Sequence, residues 1–138
     1  MAHPVLLYVW SMALSAAVAL GMAVYMYRRG TLPGARDLSV LWAACGIWSL
    51  AYVGEIRAPG LAAKVRWVDV QYIGIVAVPV AWAFFALRYA SKGRYPTRRQ
   101  TAPLLVVPAI TLLLQWTNPL HGLMRTQVGL ESVGPIQV

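Results

Sequence analysis

Residues 68–87 read VDVQYIGIVAVPVAWAFFAL, a nearly unbroken apolar stretch within a chain of 138 residues. About 20 such residues, wound as a helix, cross the hydrocarbon core of a bilayer. Three other stretches have a similar character, so the sequence predicts an all-α integral membrane protein with four transmembrane helices. The predicted spans cover approximately residues 5–27, 38–56, 68–87 and 101–117, and a tail follows at residues 118–138.

The composition favours the same class of protein. Charged residues make up 12% of the chain and hydrophobic residues 59%, whereas soluble domains carry about a quarter charged residues. The net charge of +8 would suggest a nucleic-acid partner in a soluble protein. Here the basic residues lie between the apolar stretches, where they suit anionic lipid headgroups. We therefore expect contacts with anionic lipids at the cytoplasmic loops and no contact with nucleic acid.

The basic residues also predict the orientation of the chain, because cytoplasmic loops carry an excess of Lys and Arg. Eight of them lie in the first and third loops, and four lie in the second loop and the tail. This distribution places the first and third loops in the cytoplasm. The N-terminus and the C-terminal tail are then both outside.

Small residues at helical spacing predict where the helices pack, since such residues let membrane helices approach closely. The predicted packing positions are Ser11, Ser15, Ala17, Ala19, Gly21, Ala23 and Gly74. The partner is a helix of this chain or of another one. Ordinary membrane-helix composition is the alternative explanation for these rows.

Polar residues collect near the predicted outer ends of the second and third spans. The candidate cluster consists of Glu55, Arg57, Arg66, Asp69, Gln71 and Tyr72. One hypothesis is an interfacial ion-pair network in which Arg66 and its neighbours hold Asp69, since charges at the headgroup level cost little. The other is a site for a ligand or an ion.

Candidate groups for catalysis or metal binding are scarce. No predicted span contains a histidine, the chain has one cysteine, Cys45, and no phosphate-binding loop or Ser-His-Asp set occurs. The sequence therefore predicts a protein that is not an enzyme, with no metal and no cofactor, and with lipid as its expected small-molecule contact.

Four segments, in order, resemble the N-terminal seven-helix membrane region of certain bacterial histidine kinases and diguanylate cyclases. They are IWSLAYVGEI at residues 47–56, WVDVQYIGI at 67–75, PVAWAFFALRY at 79–89 and TNPLHGLM at 117–124. The resemblance implies a bacterial cytoplasmic (inner) membrane protein whose N-terminus is outside. It also singles out Glu55, Gln71, Tyr72, Gly74, Pro79, Asn118, Pro119 and His121 as family-like positions.

The resemblance and the length of the chain leave two functions open. Because the family has seven helices and a cytoplasmic output domain, whereas four helices are predicted here, the first hypothesis is an accessory or structural subunit. Its partners would be other integral membrane proteins in a larger complex. The second is a membrane-embedded sensory input module that works with a partner supplying the remaining helices.

Overall fold

A computed structural model describes residues 3–31, 34–92, 94–125, 132–133 and 136–137 of the chain. Its long helices are α1 (His3–Arg28), α2 (Ala35–Arg57), α3 (Leu61–Ala90) and α4 (Arg98–Trp116). The short helix α5 (Asn118–His121) follows α4 directly. In the tail, β1 (Ser132–Val133) and β2 (Ile136–Gln137) form a small antiparallel pair.

Among the residues described, three helices are long and apolar enough to cross a membrane: Leu6–Arg28, Ala35–Arg57 and Leu61–Ala90. The chain is thus a membrane protein whose membrane part is helical, as the sequence predicted. Helix α4 does not reach the same apolar character, because it begins with two arginines and a glutamine and carries Gln115 near its end. The fourth span and the orientation stay predictions.

The four long helices pack in chain order, α1 on α2, α2 on α3 and α3 on α4. Short connections make successive helices antiparallel. The end of α2, the start of α3 and the end of α4 therefore meet at one end of the bundle. We call this the predicted outer end, and the opposite one the predicted inner end.

Alanine fills the interior of this bundle. Every buried apolar residue that the structure describes is an alanine, and Ala16, Ala44 and Ala51 are among them. Large apolar side chains instead lie on the outside, where lipid solvates them as well as a protein core would. The helices are consequently held together by close approach of their backbones.

Helix α3 shows this close approach most clearly. A Cβ atom added at Gly74 would lie 2.8 Å from the carbonyl oxygen of Ala44 and 2.9 Å from Cβ of Trp48. Such distances are far inside van der Waals contact, so only glycine fits there without displacing α2 from α3.

The predicted packing positions divide into two groups. Ala19, Ala23 and Gly74 lie at helix–helix contacts, and the Ser39 hydroxyl on α2 donates a 2.8 Å hydrogen bond to the Ala23 carbonyl. Ser11, Ser15, Ala17 and Gly21 are exposed instead, because α1 meets α2 through the face that carries Ala16, Ala19 and Ala23. Packing of that second group against another helix stays a prediction.

Helix α3 begins at Leu61, well before the predicted span at residue 68. Gly60 precedes it with a φ of 76°, which closes the connection to α2. The Trp67 indole then packs directly on Gly54, where a Cβ atom would come within 2.6 Å of the ring. Asp69 therefore lies about two turns inside the helix rather than at its start.

Candidate functional site

Glu55 and Gln71 link α2 to α3 at the predicted outer end. The side-chain nitrogen Nε2 of Gln71 donates a hydrogen bond to Oε2 of Glu55. An ionised carboxylate only accepts hydrogen bonds, so the amide nitrogen must face it and the amide oxygen must face away. Gln71 is buried. The sequence placed both residues in one cluster, and the structure brings them into contact.

Lys64 supports the same corner of the molecule. Although it is a lysine, it is buried, and its Nζ atom donates a 2.9 Å hydrogen bond to the backbone carbonyl of Glu55. Carbonyl groups in the last turn of a helix lack partners within the helix, and a cation there also complements the helix dipole. Lys64 therefore caps α2 from the first turn of α3.

Asp69 forms a second link, between α3, α4 and the segment after α5. Its Oδ1 atom accepts hydrogen bonds from Nε2 of Gln115 at 2.8 Å and from Nη2 of Arg125 at 3.0 Å. The indole nitrogen of Trp116 lies 3.4 Å from the Asp69 carbonyl oxygen. One carboxylate thus joins three segments of the chain.

The cation at Asp69 differs from the one that the sequence suggested. We expected Arg66 and its neighbours to hold this carboxylate, but the ion pair is made by Arg125 from the tail. Arg57 and Arg66 are exposed and Tyr72 is half-buried. None of these three has a described side-chain hydrogen bond or ion pair. Spacing along the chain could not reveal the pair, because it depends on the turn after α4 that brings Arg125 back to α3.

Gln115 is the largest fully buried side chain that the structure describes. Its amide nitrogen is bonded to Asp69, while its oxygen has no hydrogen-bond partner among the described residues. A buried polar atom without a partner costs about 1–3 kcal/mol. Gln115 is not among the residues of the predicted polar cluster, and its only signal in the sequence is a glutamine near the end of an apolar helix.

The TNPLH motif builds the turn that brings Arg125 to Asp69. Oδ1 of Asn118 accepts hydrogen bonds from the backbone nitrogens of Met124 and Arg125, at 2.8 and 3.0 Å. Nδ2 of Asn118 donates to the Arg125 carbonyl at 3.2 Å. A single buried amide therefore fixes the backbone on both sides of the arginine.

His121 belongs to the same turn and has a defined tautomer there. Nδ1 accepts from the backbone nitrogen of Leu123 at 3.0 Å, so Nε2 carries the proton and donates to the Thr117 hydroxyl at 3.0 Å. That hydroxyl in turn donates to the carbonyl of Leu113. Both ring nitrogens are thus engaged in holding the turn to the end of α4.

A cavity of about 450 Å³ lies between α1, α2 and α3, beside the Glu55–Gln71 link. The rings of Tyr8 and Tyr52 meet edge to face at its wall, with centroids 6.2 Å apart. Its lining includes Tyr8, Trp48, Ser49, Tyr52, Gln71 and Ile75. Gln71 therefore contributes both to the cavity and to the link between the helices.

The predicted inner end carries a third link, which the sequence analysis did not identify. Nη1 of Arg88 lies 2.9 Å from Oδ2 of Asp37, and its guanidinium lies 4.4 Å from the centre of the Tyr95 ring. The sequence does contain a signal for this ion pair, since an acidic residue lies in the first turn of α2 and a basic residue in the last turn of α3. Gly34, with a φ of 83°, lets the start of α2 pack against Phe85.

Within the described segments, no group of three or more His, Cys, Asp or Glu side chains could hold a metal ion. The polar links are instead built from amides, carboxylates and guanidinium groups. Such an arrangement can hold helices together and can respond to a ligand that competes for the same hydrogen bonds.

Comparison with protein-family models matches residues 11–138 to one family, described as the N-terminal 7TM region of histidine kinase. The matched range contains α2, α3, α4, α5 and most of α1. No curated protein and no solved structure matches the sequence.

Proposed function

Because this chain belongs to the family of N-terminal seven-transmembrane regions of histidine kinases, we propose that it is a membrane-embedded sensory input module. The module binds a signal and does not itself catalyse phosphoryl transfer. We place it in the cytoplasmic membrane of a bacterium, with the predicted outer end on the outside. The observation that carries the proposal is the family match, which extends over nearly the whole chain.

The helix pair formed by α2 and α3 supports this proposal. Glu55 and Gln71 join the two helices at one end, and Asp37 and Arg88 join them at the other. A sensory region must convert ligand binding into a change between two arrangements of its helices, each with its own contacts. Hydrogen-bonded links at both ends of one helix pair are suitable elements for such a change.

The accessory-subunit hypothesis has less support. It was based on the length of the chain and on the small-residue faces of α1, and the family match favours the sensory module over it. The exposed face with Ser11 and Ser15 suits either function, since further sensor helices or an unrelated subunit could cover it. Identification of the partner protein distinguishes the accessory subunit from the sensory module.

The decisive experiment isolates the chain from its native membrane in a mild detergent. Mass spectrometry then identifies what accompanies it, and incubation with labelled ATP tests the material for histidine phosphorylation. We expect a polypeptide with a kinase catalytic domain, at a fixed ratio or joined to this region. Unrelated membrane proteins at constant stoichiometry, with no kinase, would instead establish an accessory subunit.

A matched pair of variants tests whether the region controls the kinase. Glu55→Gln weakens the charge-assisted bond to Gln71, so we expect the level of histidine phosphorylation to change in membranes. Arg57→Gln removes an exposed charge two residues away and should leave that level unchanged. Equal behaviour of the two variants would count against a sensory role for the Glu55–Gln71 link.

A further inference from the structure

We propose that the cavity between α1, α2 and α3 binds an uncharged lipophilic molecule that carries a hydroxyl group and reaches the site from the membrane. This inference rests on the proposed sensory function and gives the chemical class of its ligand. Four features of the cavity support it: its size, its surroundings, its polar groups and its place in the helix pair.

The size and composition of the cavity fit a small ligand. Its volume of about 450 Å³ falls within the range of about 300–1,000 Å³ that is usual for ligand sites. Aromatic and aliphatic side chains dominate the lining, with a few polar groups among them. This combination gives binding energy from apolar contact and orientation from hydrogen bonds.

The cavity lies within the membrane-spanning segments. Every lining residue belongs to α1, α2 or α3, the three helices long and apolar enough to cross a bilayer. Tyr8 and Trp48 on its wall are 37% and 43% exposed. Because these exposed faces meet lipid rather than water, a ligand that partitions into the bilayer has the more direct route.

The polar groups of the lining select a neutral hydroxyl compound. No lining residue is an Asp, Glu, His, Lys or Arg, so a charged ligand would lose its hydration without gaining a counter-ion from the lining. Ser49 and Tyr52 contribute hydroxyl groups. The Gln71 amide nitrogen is bonded to Glu55, which leaves the amide oxygen as an acceptor. A ligand hydroxyl can both donate to that oxygen and accept from the protein hydroxyls.

The cavity is placed where a ligand can act on the helix pair. Gln71 is shared by the cavity and the link to Glu55, so a hydroxyl that bonds to Gln71 competes with, or reorients, that link. Ile75 lines the cavity and lies one turn before Pro79. Proline has no backbone N–H, so the Ile75 carbonyl lacks its usual helical donor and α3 is more easily bent there.

Photolabelling of the full chain tests the site. The chain, in lipid nanodiscs, is labelled with 3-azioctanol, an eight-carbon alcohol that inserts into nearby groups under light. Octan-1-ol and octane then compete at equal concentrations in the membrane. We expect label on lining residues such as Tyr8 and Tyr52, reduced at least several-fold by octan-1-ol and little by octane. Uniform label over all lipid-facing residues, or equal competition by octane, would overturn the proposal.

Three variants separate binding from folding. Ser49→Leu fills the cavity and should abolish the label, whereas Ser15→Leu makes the same change on an exposed face of α1 and should preserve it. Ser49→Ala leaves the space but removes a hydroxyl, so it should reduce the advantage of octan-1-ol over octane. Unchanged labelling of both Ser49 variants would contradict the assignment of the site.

The result of photolabelling is independent of the experiment that looks for an accompanying kinase. If a kinase accompanies the chain but the label is not specific, the ligand site is wrong and the sensory function stands. If the label is specific but no kinase is found, the site stands and the sensory function does not.

Discussion

Arg125 lies 3.0 Å from Asp69 across 56 positions of sequence, and this contact fastens the segment after α5 to the third helix. Both side chains are partly exposed, at 20% and 31%. The pair is therefore a screened interaction near a surface rather than a buried ion pair.

Removing either charge of this pair should have a small effect on the free energy of unfolding. We expect Asp69→Asn and Arg125→Gln each to lower the free energy of unfolding by about 1 kcal/mol or less, and to leave membrane insertion unchanged. The combined variant should lose less than the sum, because each single change removes the same interaction. Reversible unfolding in mixed detergent micelles measures all three.

The control is Arg66→Gln, which removes an exposed arginine with no described ion pair. This variant should unfold with the same free energy as the unsubstituted protein. The coupling between Asp69 and Arg125 should decrease at high salt. A larger loss for the Arg66 variant than for the Arg125 variant would restore the original ion-pair hypothesis.

A charge introduced at position 115 should lower the stability of the protein far more than loss of the amide does. Gln115→Glu places a second carboxylate against Asp69 in a fully buried position, and we expect a loss of about 3 kcal/mol or more, or uptake of a proton. Gln115→Leu removes the bond to Asp69 together with the unpaired oxygen and should cost about 1 kcal/mol or less. Thermal unfolding in detergent compares them.

An equal loss for the two variants would show that the lost amide donor to Asp69, and not the added charge, determines the tolerance of this position.

Gly74→Ala should destabilise the contact between α2 and α3. The added methyl group meets the Ala44 carbonyl and Trp48, and overpacking of this kind typically costs about 1–3 kcal/mol. Gly21→Ala is the matched control, since a Cβ atom at that exposed position meets nothing within 4 Å. It should be neutral or slightly stabilising, because alanine is the better helix former. Unfolding in micelles reports both, and equal stability would place the helix contact elsewhere.

Asn118→Ala should release the turn that carries Arg125. The amide protons of Met124 and Arg125 lose their shared acceptor, so we expect both to exchange with deuterium faster. Leu120→Ala is the control, because the Leu120 side chain is 86% exposed within the same short helix. Mass spectrometry of hydrogen exchange gives the readout. Slow exchange in the Asn118 variant would mean that other contacts hold the turn.

The sequence predicted those features that depend on local pattern. Apolar length predicted the three helices that are long and apolar enough to cross a membrane, whereas the fourth span stays a prediction. Of the seven predicted packing positions, Ala19, Ala23 and Gly74 are buried. Family-like motifs pointed to the histidine kinase region, which the family match confirms. Glu55 and Gln71 were both assigned to the polar cluster near the outer ends of the second and third spans, and the structure brings them into contact.

Contacts between residues that are far apart in the sequence could not be predicted from local pattern. The pairing of Asp69 with Arg125 needs the turn built by Asn118, and the burial of Gln115 needs the angle at which α4 approaches α3. Helical periodicity also could not tell which face of α1 meets α2, so Ser11 and Ser15 were grouped with Ala19 and Ala23. The partner of Arg88 was overlooked because Asp37 lies 51 positions earlier, at the start of the hairpin formed by α2 and α3.

The two links between α2 and α3 have a mechanical consequence. Helix α3 is linked to α2 at Gln71 and at Arg88, so it cannot easily slide along α2 but can bend between these two points, and Pro79 lies in that interval. Motion in this pair should therefore begin as a change of curvature. Spin labels at the middle of α3 should then move relative to α2, while labels beside Gln71 and Arg88 keep their distances until one link opens.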